Sequence, residues 1–192
     1  MKNFSTVALS ISCLCFVSLC VDLSAAGLGG LFNRKSESHK ARALRRKVET
    51  AVELFKEKDP GINKFFERSV GYAVFPTVVK AGFGIGGAGA KGEVYEGDTM
   101  IGTSQMSQAT IGFQFGGQTY SEIVFFEDQE TFDDFRGGTF EFSAQVSAVA
   151  VTLGASDNAN FDQGLAVFTV QKGGLMYEAS IGGQVFHFDR KP

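Results

Sequence analysis

Between Ser36 and Asp59, apolar residues recur at spacings of three and four. Ala41, Leu44, Val48, Ala51, Val52 and Phe55 fall on one stripe of a helix. Ser36 or Ser38 offers an N-cap, and Asp59-Pro60-Gly61 a stop, so a helix is predicted over 36–59. A second, short helical piece is predicted over 62–69, with Phe65 and Phe66 as apolar anchors. From Gly71 onward the period changes to two. In Ile111-Gly112-Phe113-Gln114-Phe115 bulky residues alternate with small or polar ones, as in a half-buried strand. Strands are predicted over 71–75 (ended by Pro76), 88–96, 108–115, 119–126, 140–153, 165–171, 176–181 and 184–188. One acidic helical turn interrupts them over 129–136, with Phe132 and Phe135 facing inward and Gly137 as its stop.

Glycine punctuates this β text. The chain has 24 glycines, about twice the usual share of roughly 7% over the predicted mature chain. Ile85-Gly86-Gly87, Phe115-Gly116-Gly117 and Ile181-Gly182-Gly183 each fall where one predicted strand gives way to the next. Glycines at such places permit bulges, corners and close backbone approach. The expected fold class is α+β, mostly β: a bent antiparallel sheet or barrel-like domain preceded by an amphipathic N-terminal helix.

Residues 1–26 read as a secretory signal peptide. Lys2 supplies the positive end, residues 7–21 an apolar run, and Ser24-Ala25-Ala26 the small residues of a cleavage site after Ala26. The run is short for a membrane span, which needs about 20 apolar residues; an uncleaved anchor is the alternative. Cys13, Cys15 and Cys20 all lie in this segment, so the predicted mature chain has no thiol chemistry. Bulky Leu19 before Cys20 argues against a lipid-anchored cysteine. The expected organisation is a signal peptide (1–26), a linker (27–35) and one domain (36–192), in which the basic helix (36–59) precedes a Gly/Phe-rich β domain (60–192).

Charge changes the picture next. From Arg34 to Lys47 seven basic residues face a single acid, Glu37, a net +6, whereas residues 60–192 hold eight basic and fifteen acidic residues, a net −7. The chain as a whole is at −3, which excludes a general nucleic-acid binder. On a helical wheel Lys40 and Lys47 flank one edge of the stripe, Arg45 flanks the other, and Arg42 and Arg46 lie on the polar face. One reading packs the stripe on the domain and leaves the charges to water. The other makes this a membrane-surface helix, its apolar face entering the headgroup boundary while Lys and Arg meet anionic lipid. The two coexist where only the rim of the helix touches lipid. The candidate lipid-binding residues are Lys40, Arg42, Leu44, Arg45, Arg46, Lys47 and Val48.

Other motifs carry less. Gly84-Ile85-Gly86-Gly87-Ala88-Gly89 matches G-x-G-x-x-G, but a strand pattern follows where a dinucleotide site needs a helix. Asn158-Ala159-Asn160-Phe161-Asp162 lacks the opening Asp, the turn Gly and the closing Glu of a calcium loop, and reads as an Asx-rich turn. Glu127, Asp128, Glu130, Asp133 and Asp134 read as a solvated helix face. With only His39 and His187 and no mature Cys, a His/Cys zinc site lacks enough ligands. No nucleophile elbow is present. No enzyme, cofactor or metal is expected.

Gly71-Tyr72-Ala73-Val74-Phe75-Pro76, then Lys80-Ala81-Gly82-Phe83-Gly84-Ile85-Gly86-Gly87, resembles the signature of the SYLF domain family, also described as yeast-actin-regulator-like lipid-binding domains. The likeness continues through Ile111-Gly112-Phe113-Gln114-Phe115-Gly116-Gly117-Gln118 and Lys172-Gly173-Gly174-Leu175-Met176-Tyr177-Glu178-Ala179-Ser180-Ile181. The resemblance implies a non-enzymatic domain that binds membranes, through phosphoinositides in eukaryotic members, at a surface that includes a basic amphipathic N-terminal helix. Here that element corresponds to Lys40, Arg42, Arg45, Arg46 and Lys47 beside Leu44 and Val48. Eukaryotic relatives are cytosolic, and many carry a second domain. A chain with a signal peptide and nothing appended resembles a bacterial, envelope-located member, periplasmic or peripheral on an envelope membrane, or secreted. Generic anionic phospholipid is then the expected ligand. An envelope protein partner for the basic helix, or a lipid carrier with an internal cavity, are the alternatives.

Overall fold

The computed structural model describes residues 25–142, 149–150 and 154–191. The predicted signal peptide, its three cysteines and its cleavage site lie outside these apart from Ala25 and Ala26. By contacts the chain divides between His39 and Lys40, and the unit from Lys40 onward holds the sheet.

The first helix, α1 (Ala25–Lys58), begins before Ser36 and runs through the segment expected to be a linker. A 3-10 turn (Pro60–Ile62) leads into α2 (Asn63–Arg68). Then come β1 (Gly71–Glu96), β2 (Thr99–Phe126), α3 (Gln129–Arg136), β3 (Thr139–Phe142), β4 (Val149–Ala150), a 3-10 turn (Ser156–Asn158) and β5 (Leu165–Arg190). Asp128 caps α3, its carboxylate accepting from the Thr131 backbone N–H, and Phe132 and Phe135 are buried as the pattern predicts. Of the long strand predicted over 140–153, the described parts are β3 and β4.

The sheet runs β1-β2-β5-β3, with β4 also on β5. All pairings are antiparallel except β4 with β5. It does not close into a barrel. The glycine units do not separate strands, as expected from the sequence, but sit inside three strands of 26 to 28 residues. Pro76 likewise does not end its strand. It occupies an irregularity between Phe75 and Val78, where a missing N–H costs no ladder bond. Its carbonyl accepts from the Ser121 hydroxyl at 2.9 Å and from the Lys172 ammonium.

The long strands turn back on themselves. The Tyr120 hydroxyl lies 3.5 Å from the Gln108 amide oxygen, twelve residues away on the same strand. A straight strand would hold them about 40 Å apart. Phe75 meets Phe186 with ring centroids 5.4 Å apart, although their register partners, Glu122 and Met106, lie near opposite ends of β2. One half of each strand thus faces the other half. The layer between holds Phe75, Val78, Met106, Val124, Phe126, Leu165, Val167 and Phe186, all at most 2% exposed. Phe132 and Phe135 of α3 close one end of that layer.

The second layer lies on the outer face of the first half-sheet. There α1, the 3-10 turn after it and α2 bury Val48, Ala51, Phe55, Ile62 and Phe65 against Val74, Ile123, Phe125, Phe168 and Val170. Burial of each large apolar side chain stabilises by about 1.5–3 kcal/mol, and this is what fixes α1 to the sheet.

Candidate functional site

Docking of the helical stripe decides which charges of α1 face water. Val48 is 2% exposed, and Leu44 is half-buried against the same apolar cluster. Arg45 is half-buried, its Nε donating to Glu93 Oε2 at 2.8 Å. Tyr95 donates its hydroxyl to the same carboxylate oxygen at 2.7 Å. The Glu93 side chain is 2% exposed, so this ion pair sits under the helix. The hydrogen bond to Glu93 raises the Arg45 guanidinium above its ordinary value despite partial burial. Burial, and then the Glu93 carboxylate, push the Tyr95 phenol upward.

The expected set therefore divides in two. Lys40, Arg42, Arg46 and Lys47 are exposed along the helix. Leu44, Arg45 and Val48 belong to the docking interface, and of these Val48 cannot meet a ligand while the helix is docked.

A further cation joins the exposed group from far away in sequence. Lys172, on β5 at the level of Tyr120, is exposed and donates from Nζ to the Pro76 carbonyl. Partial burial and the like charge of Lys47 hold its ammonium below the ordinary lysine value. Two ammonium groups close enough to repel make a place where a multiply charged anion gains from both. Sequence reasoning missed Lys172, which follows β5 into a glycine pair and carries no local signal of what it meets.

Around this rim the surface is shallow. An open groove of about 310 Å³ runs beneath the helix between Arg45, Glu49, Val52, Tyr72 and Tyr95. A second cavity of about 690 Å³ lies by α3 and β3, with Thr131, Asp134, Glu141, Gln163 and Gln184 among its lining residues. Ala109, Phe140, Leu165 and Val185 also line it. Among the described residues no three His, Cys, Asp or Glu side chains converge on a common point. None of the described helices is long and apolar enough to cross a membrane.

Comparison with known proteins bears on residues 107–191, which match the family described as Las17-binding protein actin regulator, Ysc84. Two of the stretches that resemble the SYLF signature, Ile111–Gln118 and Lys172–Ile181, fall inside this match; the Gly71–Gly87 stretches precede it, on β1, which pairs with β2 along its length. The chain is also 27% identical over 164 residues, 85% of its own length, to a protein of Aeromonas veronii named beta cell expansion factor A. The matched part spans 62% of that relative.

Proposed function

Since residues 107–191 belong to the SYLF (Ysc84) family, we propose that this protein is a non-enzymatic lipid-binding domain that docks on anionic membrane surfaces of the bacterial envelope. The observation that carries the reading is the division of α1. Its apolar stripe is consumed by the sheet, while Lys40, Arg42, Arg46 and Lys47 are exposed to water and Lys172 lies near Lys47. The helix then binds by charge along its rim and does not bury its apolar face. Each basic residue held near an anionic surface contributes about 1 kcal/mol. The −7 carried by residues 60–192 is repelled by the same surface, which orients the protein with its basic rim toward the lipid.

Flotation with neutral and anionic vesicles, at low and high salt, tests this reading. Binding is expected only to anionic vesicles and is expected to weaken with salt. The triple charge reversal Lys40→Glu, Arg46→Glu and Lys47→Glu should lower it at least a hundredfold, given about fivefold per residue. Binding that ignores lipid charge, or survives the triple reversal, would sink the proposal. Lipid-independent capture by a purified envelope protein would put a protein partner in its place.

A further inference from the structure

Where the three long strands turn back, the molecule exposes what it elsewhere buries. Phe83 is 81% exposed, Ile85 73%, Ile111 71%, Phe115 63% and Val79 57%. Val185 is the remaining large exposed apolar side chain among the described residues, at 36%. Four of the five are neighbours. Phe83 pairs with Phe115 and Ile85 with Ile111 across β1 and β2, and the two phenyl rings meet edge-on with centroids 5.9 Å apart. Single exposed apolar residues need no explanation, but a contiguous cluster does.

On β1 and β2 the bend also lacks charge. Residues 81–90 and 99–121 contain no Asp, Glu, Lys or Arg, in a chain where one residue in five is charged; on β5, Glu178 stands opposite Gln114. Exposed strands of soluble proteins are normally protected by such charges. Two exposed cations stand at the foot of the bend. Lys172 lies level with the start of the exposed stretch, and Lys47 lies close enough to depress it.

We infer that this bend is a lipid-insertion tip: Phe83, Ile85, Ile111 and Phe115 enter the headgroup–acyl boundary while Lys47 and Lys172 behind them meet headgroup phosphates. The inference rests on the lipid-surface reading and deepens it. An apolar point with cations set behind it is the charge arrangement that complements an anionic bilayer, whose negative layer overlies a hydrocarbon interior. The ladder admits the same occupant at limited depth. β5 pairs β2 without a break through the bend, whereas β1 leaves Gly112, Phe113 and Gln114 without a register partner at its shift between Phe83 and Ile85, so this backbone stays within reach of water and headgroups. β1 is an edge strand, which limits the depth to the interface, about 5–10 Å.

The chain has no tryptophan, so Phe115→Trp gives a single reporter on the full chain. With vesicles of equal parts phosphatidylglycerol and phosphatidylcholine, its emission is expected to shift to the blue and to be quenched by brominated acyl chains. Phe83→Ser with Phe115→Ser removes exposed side chains, so melting temperature should hold while vesicle binding falls at least tenfold, the loss persisting at high salt. If the wild type binds anionic vesicles but the reporter stays unquenched and the double variant binds equally, the tip assignment is overturned and the basic-rim reading survives. If the wild type binds no vesicle, both fall. A lipid-free, concentration-dependent blue shift accompanied by dimer in sedimentation would make a second copy of the chain the occupant, and would also overturn the inference.

Discussion

Glu122 and Gln184 meet inside the folded-back sheet, the Gln184 amide nitrogen donating to Glu122 Oε2 at 3.2 Å. Their register partners are far apart: Glu122 pairs with Phe75 and Thr169, and Gln184 with Gln108. Only the turning back of the strands brings them together. Glu122 is 1% exposed, and its Oε1 and the Gln184 Oε1 have no hydrogen-bond partner among the described residues. Burial pushes the carboxyl up to about 7, against the opposing effects of the Gln184 hydrogen bond and the Lys80 charge.

A carboxyl raised on folding binds its proton more tightly in the native state. Its contribution is therefore fully present below the ordinary value of 4.5 and is lost as pH rises toward about 7. The gap is worth about 3 kcal/mol. Melting temperature should fall between pH 5 and pH 8 more steeply in the wild type than in Glu122→Gln, with the variant the more stable at pH 8. Parallel profiles for the two proteins would show that the slope has another source.

The Arg45–Glu93 pair yields a contrast between neighbouring arginines. Arg45→Ala leaves a carboxylate that is 2% exposed with, among the described residues, only the Tyr95 hydroxyl bonded to it, a loss of about 1–3 kcal/mol. Arg46→Ala removes an exposed side chain and should stay within about 0.5 kcal/mol. Adding Glu93→Gln to Arg45→Ala should restore part of the loss, because the uncompensated charge goes with it. Urea midpoints read this directly, and equal losses at positions 45 and 46 would mean that the pair does not hold the helix down.

Asp59 ties the end of α1 to the turn at Ser156. Its carboxylate accepts from the backbone N–H groups of Gly61 at 3.1 Å and Ser156 at 2.7 Å. Burial opposes its ionisation, but hydrogen bonds from Ser156, Gly61 and Gly154 prevail and hold the carboxyl below its ordinary value. Such a group stabilises fully above the ordinary 3.8 and loses that contribution as pH falls through its folded value. Asp59→Asn should be destabilised at pH 7, by about 1–3 kcal/mol, and should lose stability less steeply than the wild type below pH 4. An unchanged acid limb would remove Asp59 from the account.

The helical stripe and the α3 turn were legible because a period near 3.6 is local: Val48, Ala51, Phe55, Phe132 and Phe135 are buried where the spacing puts them. The turning back of the strands was not, because at Gly86-Gly87 and Gly116-Gly117 there is no side chain to continue the period of two, and a bend inside a strand then looks like its end. What decides between them is nonlocal contact such as Phe75 against Phe186. Residues 27–35 looked like a linker because Gly27, Gly29 and Gly30 are weak helix formers, yet α1 begins at Ala25. Glu122 was half legible. Alternation from Tyr120 through Val124 to Phe126 puts it on the inward face, while its partner Gln184 follows only from the bend. Of the basic residues, the spacing identified the rim but not Lys172, nor that Arg45 is engaged by Glu93.

The turning back itself rests on close backbone approach, and two glycines of β1 test it. A Cβ on Gly92 would lie 2.4 Å from the Val74 carbonyl oxygen and 2.7 Å from Phe75 Cδ1, on the facing half of the same strand. Backbone oxygen cannot move aside as a flexible side chain can, so Gly92→Ala should destabilise by about 1–3 kcal/mol. Gly89, three residues earlier, has nothing nearer to its absent Cβ than the Met106 carbonyl at 3.9 Å. Gly89→Ala should be neutral or stabilising by up to about 1 kcal/mol, since it restricts the unfolded chain without meeting anything in the folded one. Chemical denaturation of both variants distinguishes the two sites. Equal responses would mean that Val74 does not lie against Gly92, and the two halves of the sheet would then have to face each other in another register.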